Sequence, residues 1–176
     1  MVVEKTFEKD GVKSVAVFSD CEKYRYSLTR VWDADLPRIM FVGLNPSTAD
    51  EIKNDPTVNR SINFAKSWGF GSMTMMNLFA FRATFPKDLK VAEDPIGKDA
   101  EVWIIKEAEK CEKIVAAWGN HGSFLNRSEN VLAKLKDLYC FGLTKQGQPK
   151  HPLYLRLDSK IQPLNHEKFG PESQRK

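Results

Sequence analysis

The sequence predicts an α/β protein: a three-layer α/β/α sandwich with a short, mainly parallel four-stranded sheet and an N-terminal β-hairpin. Four short apolar runs predict strands at 39–44, 73–77, 113–118 and 138–142, and the first two are nearly continuously apolar, as is typical of strands covered on both faces. Amphipathic segments separate these runs, as expected for parallel strands between helical layers. At 176 residues the chain is expected to form a single domain, with its core at about 14–157 and a C-terminal tail at 158–176.

The first half of the chain predicts a hairpin followed by a β-α-β unit. Residues 14–19 and 24–32 form the hairpin strands, with a polar turn between them. After the strand at 39–44, Asp55 is expected to cap a helix whose first residue is Pro56. Gly69 ends that helix before the strand at 73–77.

Two helices and a tail are predicted in the second half. The segment 99–110 is amphipathic, with Val102, Ile105 and Ala108 on its apolar side. The segment 124–137 is expected to be helical as well, and the tail is expected to wrap the surface or fray, because it has little periodicity.

Composition limits the function classes. Lys and Arg number 27 and Asp and Glu 23, so the formal charge of +4 and the pI near 8.9 permit nucleic-acid binding without requiring it. The three cysteines lack C-x-x-C spacing, which argues against a zinc site or a disulfide framework and favours a reducing cytoplasm. No run approaches the ~20 apolar residues of a membrane span, and the N-terminus is too charged for a signal peptide. We therefore expect a cytoplasmic protein with no membrane partner and no cofactor.

Polar residues follow the apolar runs where an open α/β sheet binds its ligands. Asn45 comes directly after the first of the four runs, in Gly43-Leu44-Asn45-Pro46-Ser47, and Asn77 ends the second. His151 precedes Pro152, whose ring pushes the preceding residue into an extended conformation. We predict that Asn45, Asn77 and His151 converge on one cleft.

These motifs resemble the uracil-DNA glycosylase superfamily in their order along the chain. The run 43–47 is similar to the Gly-Ile-Asn-Pro-Gly motif of its mismatch-directed branch, and 75–84 resembles the strand-end Asn with the Arg-containing loop after it. Ala116 to Gly119 takes the place of the next strand end, and 151–153 matches His-Pro-Ser in two of three positions. At finer grain, 44–50, 117–119 and 151–155 resemble an uncharacterised bacterial and phage family that carries a domain-of-unknown-function label and covers about residues 21–163.

The resemblance implies a protein that excises or binds a nucleobase in DNA, with the following site. Asn45 would orient the attacking water, and His151 would donate a hydrogen bond to the leaving base. Asp50 is our own candidate for the missing general base, because it lies close to Asn45. Asn77 would read the base edge, with Leu44, Pro46, Ser47, Arg82, Gly119 and His121 around the base. The DNA backbone would contact Lys145, Lys150 and Arg156, with Leu153 or Tyr154 as an apolar wedge.

Three departures and two rival functions accompany this interpretation. The loop 47–59 has no aromatic residue to stack on a base, three cysteines cannot supply a four-cysteine iron-sulfur cluster, and Leu153 stands where the motif has serine. One rival is a nucleobase-, nucleotide- or DNA-binding module that has lost its chemistry. The other is a metal-assisted hydrolase that uses Asp50 and Asp55. Local packing is the alternative for single residues: Asn45 as a turn residue, His151 as a surface or cap residue and Asp55 as a helix cap.

Overall fold

The computed structural model describes residues 1–165, which form an α/β fold around an eight-stranded mixed sheet. The strands are β1 (Val2–Lys9), β2 (Val12–Ser19), β3 (Arg25–Val31), β4 (Arg38–Gly43), β5 (Ser72–Asn77), β6 (Lys113–Ala116), β7 (Leu138–Cys140) and β8 (Gln162–Pro163). Their order across the sheet is β1-β2-β3-β5-β4-β6-β7-β8. Strands β5, β4, β6 and β7 are parallel, and the strands on both flanks pair antiparallel.

The prediction of a short, mainly parallel four-stranded sheet is wrong, although the α/β class is confirmed. The four apolar runs form β4 to β7, and the predicted hairpin is present as β2 and β3. The hairpin is not a separate feature, because β3 pairs with β5 and so extends the same sheet. Strand β1 is half exposed at one edge, where a strand needs no apolar run, and β8 is only two residues long.

The helices are α1 (Pro56–Ser67), α2 (Pro86–Val91), α3 (Ala100–Ala108) and α4 (Arg127–Leu132). Helix α1 begins and ends as predicted, and its cap is Asp55. The helix predicted over 124–137 is wrong in extent, because 120–126 forms 3₁₀ turns and Leu125 and Asn126 have positive φ angles. These left-handed residues interrupt any continuous helix before α4.

The buried face of α3 also differs from the prediction. Val102 and Ile105 are exposed, whereas Ile104 and Glu107 are buried. The Glu107 carboxylate lies 2.7 Å from the Lys110 ammonium, so a paired carboxylate occupies a position that a hydrophobic pattern assigns to the polar side.

Helices cover both faces of the parallel strands and fix where the site lies. Ile39 and Phe41 of β4 pack with α1, and Met40 and Val42 pack on the opposite face with α3 and α4. From β4 the chain passes to β5 on one side and then crosses to β6 on the other. Such a reversal opens a crevice at the carboxyl ends of the strands.

The end of the described chain is attached to the core. Leu164 is buried, and its N–H donates to the Leu138 carbonyl at 2.7 Å, so this part of the predicted tail neither frays nor lies loose. The remainder of that tail, 166–176, lies outside the described residues. Among the helices of residues 1–165, none has the length and apolar character needed to cross a membrane.

Candidate functional site

A cavity of about 570 Å³ opens at the carboxyl ends of β4, β5 and β6. Its size falls within the range of small-molecule sites. Asn45, Asn77 and His151 all line it, so their predicted convergence is confirmed. In total the wall contains nine residues that the sequence analysis assigned to a nucleobase or DNA site: Leu44, Asn45, Ser47, Asn77, Gly119, His121, His151, Leu153 and Tyr154.

The structure places three other predicted residues away from the cavity wall. The Asp50 carboxylate accepts hydrogen bonds from the backbone N–H groups of Ile52 and Lys53, at 2.9 and 2.8 Å, and closes a turn. Pro46 is buried and does not line the cavity. Arg82 donates to the Glu22 carbonyl at 3.2 Å and covers an aromatic ring.

The residues predicted to contact the DNA backbone lie outside the cavity as well. Lys145 and Lys150 are exposed. Arg156 makes two hydrogen bonds to the Asp158 carboxylate, each 3.1 Å long, which occupies its guanidinium. None of the three lines the cavity wall. Their contact with the DNA backbone stays a prediction.

The Asn45 amide is held by the backbone. Its Nδ2 donates to the carbonyls of Pro46 and Ala83, at 3.0 and 2.8 Å. These two bonds fix the side chain and identify the other atom as Oδ1. No donor among residues 1–165 bonds to Oδ1, so the atom that Asn45 offers to a ligand or a water is an acceptor.

Asn77 offers the opposite polarity. It is buried, and its Oδ1 accepts a hydrogen bond from Nη2 of Arg25 at 3.3 Å. Because a guanidinium only donates, the amide oxygen must face Arg25, and Nδ2 remains as a donor without a protein acceptor in the described chain. Gly43 makes room for this amide, since a Cβ at Gly43 would lie 3.0 Å from Nδ2.

Arg25 is a site residue that sequence reasoning missed. It is 2% exposed and lines the cavity. Its Nη1 donates to the Ala49 carbonyl at 2.9 Å, and its buried Nε has no partner in the described residues. Burial lowers the pKa of Arg25 to about 10, and the Asp55 charge opposes that shift, so the side chain is cationic at neutral pH.

Two arginines on β3 hold the loop that carries Asn45. Arg25 binds Ala49, and Arg30 donates to Asn54 Oδ1 at 3.0 Å and to the Lys53 carbonyl at 3.2 Å. Both guanidinium groups are buried beneath the loop. The local sequence pattern of a hairpin strand does not indicate this role. It becomes apparent only from the pairing of β3 with β5, which places β3 next to the strands that carry the site.

Asp55 is the carboxylate of the cavity wall. Its Oδ1 accepts from the N–H of Val58 at 2.8 Å and caps α1, as the sequence predicts. Within residues 1–165, Oδ2 has no hydrogen-bond donor. Helix α1 therefore brings a carboxylate to the cavity wall, and this is the group that Asp50 was expected to supply.

His151 presents a neutral donor. Its backbone is extended, with φ −74° and ψ 137°, as Pro152 predicts. Nδ1 accepts from the Leu153 N–H at 3.2 Å, which places the proton of the neutral ring on Nε2. Burial lowers the pKa of His151, with the Asp55 charge opposing the shift, so the imidazole is neutral at neutral pH.

The loop 47–59 has no aromatic residue, but aromatic rings from other parts of the chain line the cavity. Trp118, at the end of β6, is 2% exposed, and its Nε1 donates to Gln148 Oε1 at 2.9 Å. Gly122 packs directly against this indole, since a Cβ there would lie 2.1 Å from the ring. Trp118 thus forms a rigid wall, and Tyr154 stands at the rim.

Asp50 and Asp55 are the candidate ligands of the metal-assisted alternative. No cluster of three or more His, Cys, Asp or Glu side chains suited to a metal occurs in the part of the chain that the structure describes. Asp50 closes a turn and Asp55 caps helix α1, so each carboxylate has a structural contact of its own.

Comparison with known proteins gives one family match. The family described as "Protein of unknown function (DUF1643)" matches residues 25–153. The match begins at Arg25 and ends at Leu153, so it includes all of the wall residues discussed above except Tyr154. The matched range is somewhat shorter than residues 21–163, the range expected from the resemblance to an uncharacterised bacterial and phage family. No curated protein matches the chain.

Proposed function

Because the chain belongs to the DUF1643 family, whose description assigns no activity, we propose from the site alone that it binds a nucleobase of DNA and hydrolyses its N-glycosidic bond. One observation carries this proposal. A neutral imidazole donor, an amide limited to donation and a carboxylate face the same cavity, from His151, Asn77 and Asp55. These are the groups needed to cleave the N-glycosidic bond between a sugar and its base.

Each group has a separate role in the reaction. Asn45 Oδ1 and Asp55 Oδ2 accept hydrogen bonds from a water, whose oxygen attacks C1′ of the sugar. The bond between C1′ and the base nitrogen breaks, its electron pair leaves with the base, and the water proton passes to Asp55. Because negative charge develops on the base, the N–H donors of His151 and Asn77 stabilise the transition state.

The polarity of the wall selects the base. The Arg25 bond limits Asn77 to donation, and His151 donates through Nε2. A base with a carbonyl oxygen satisfies such donors, whereas an exocyclic amino group would leave them unpaired at a cost of about 1–3 kcal/mol. We therefore expect oxo bases such as uracil or hypoxanthine to be processed and adenine to be rejected.

The test is an oligonucleotide panel scored for abasic sites. Uracil, hypoxanthine, xanthine, mismatched thymine and adenine are placed at one position of the same sequence. We expect product from at least one oxo base and none from adenine. Asp55→Asn and His151→Asn should each lower turnover by about 10² or more.

Asp50→Asn is the matched control, because Asn can close the same turn and Asp50 lies outside the wall. It should retain turnover. Absence of product from every oxo base, or full turnover in both the Asp55 and the His151 variants, would refute the proposal.

A binding module without turnover is the second candidate. The two backbone bonds of Asn45 favour it, because they give this residue a structural role that needs no chemistry. This candidate predicts that an oligonucleotide containing an oxo base binds tightly and is recovered intact.

A further inference from the structure

We propose that the rim of the cavity is a docking surface for single-stranded nucleic acid, on which the neighbours of the bound base stack. This inference rests on the proposed function for the base in the cavity. It adds the strand that carries the base, and it is carried by two exposed aromatic side chains, Phe85 and Tyr154, and by lysines beside them.

Phe85 stands at the rim because its neighbours Thr84 and Pro86 both line the cavity. Its side chain is 57% exposed, which is unusual for a ring this large. The Lys87 ammonium lies 5.5 Å from the ring centroid. The ring and the cation together offer what a nucleotide needs: a flat apolar surface for the base and a positive charge for the phosphate.

Tyr154 supplies the second ring, from a different element. It lines the cavity in the 3₁₀ turn that follows His151, and it is 91% exposed. No other ring in the described chain contacts it. A wedge driven into a duplex must be braced by its surroundings, so an open ring fits stacking on an unpaired base better than the wedge role that the sequence suggested.

The charge around these rings matches a phosphate backbone. Lys87 and Lys90 lie on α2, whose first residue lines the cavity, and Lys150 precedes His151; all three are exposed. In a duplex the base faces are already stacked on one another, whereas in a single strand they are free to stack on rings. Exposed rings beside exposed cations therefore favour a single strand.

Fluorescence anisotropy at low salt tests the inference without any need for turnover. The probe is a fluorescein-labelled 12-mer of ordinary mixed sequence, used as a single strand and as a duplex. We expect the single strand to bind more tightly. Phe85→Ala and Tyr154→Ala should each weaken its binding about 5-fold or more, the loss of one stacked base.

Val102→Ala is the control, because Val102 is exposed on α3 and does not line the cavity; it should bind normally. Tyr154→Trp should bind at least as well as the unmodified protein. Equal or tighter binding of the duplex, unchanged binding by both alanine variants, or no single-strand binding would overturn the inference.

Excision measured on the same preparations separates the two proposals. Ring-dependent binding of the single strand with no excision of any base refutes the proposed function and leaves the docking surface standing. Excision of a panel oligonucleotide that is equally fast in single-stranded and duplex form, and insensitive to both alanine substitutions, refutes the docking surface alone.

Discussion

Replacing Asp55 in two different ways separates its structural role from its electrostatic one. Asp55→Ala removes both the cap on α1 and the charge beside Arg25, whereas Asp55→Asn keeps a good cap and removes only the charge. The single cap bond, from Val58 N to Oδ1 at 2.8 Å, has a typical value of about 1 kcal/mol. The alanine variant should therefore be about 1 kcal/mol less stable than the asparagine variant.

Denaturant unfolding measures this difference directly. In thermal unfolding it should appear as a lower Tm for the alanine variant, by about 3 °C for a domain of this size. Both variants also lose the attraction between Asp55 and the buried Arg25 guanidinium, so both should be less stable than the unmodified protein.

The effect of the Asp55 charge is measured through the pKa of His151. The Asp55 carboxylate raises the pKa of His151 against the effect of burial. Both variants should therefore titrate His151 at a lower pH than the unmodified protein, as followed by NMR of the imidazole protons. An unchanged His151 titration together with equal stability of the two variants would refute the placement of Asp55 in the cavity wall.

Three further predictions concern other parts of the structure. Burial lowers the pKa of His151 below its ordinary 6.5, so below about pH 6.5 the unfolded state binds more protons than the folded state. The free energy of unfolding should therefore decline as the pH falls through this range, and His151→Asn should make that decline less steep. In thiol labelling, Cys21 should react first, since it is exposed with a lowered pKa, whereas burial raises the pKa of Cys111 to about 12 and protects it until unfolding. Gly43→Ala places a Cβ 3.0 Å from Asn77 Nδ2 and should shift the Asn77 amide resonance, while Gly11→Ala, which meets no neighbour, should leave it in place.

Local patterns were sufficient for the central strands and the helix that carries Asp55. Buried parallel strands must be apolar along their length, so β4 to β7 stand out in the sequence, and the Asp-Pro start of α1 is a local signal. The edge strands β1 and β8 gave no such signal, because β1 is half exposed and tolerates charge at alternate positions, and β8 is only two residues long. Pairing β3 with β5 depends on the three-dimensional course of the chain.

The same distinction explains which site residues were found. Asn45 and Asn77 lie at the carboxyl ends of β4 and β5, so their convergence follows from the topology of a parallel sheet, whereas His151 reaches the cavity through the loop that follows β7. Arg25 was missed because its role depends on the long-range pairing of β3, which brings its guanidinium to Asn77. Asp55 was recognised as a cap, but whether a cap also faces a cavity depends on packing.

NMR titration with free bases tests most directly that these residues form one base-binding site. The signals to follow are the Asn77 side-chain amide and the His151 imidazole. Hypoxanthine, which has a carbonyl oxygen where adenine has an amino group, should shift both signals together, and adenine should shift neither. No shift with hypoxanthine, uracil or xanthine, or shifts confined to residues away from the cavity, would show that these residues do not form one base-binding site.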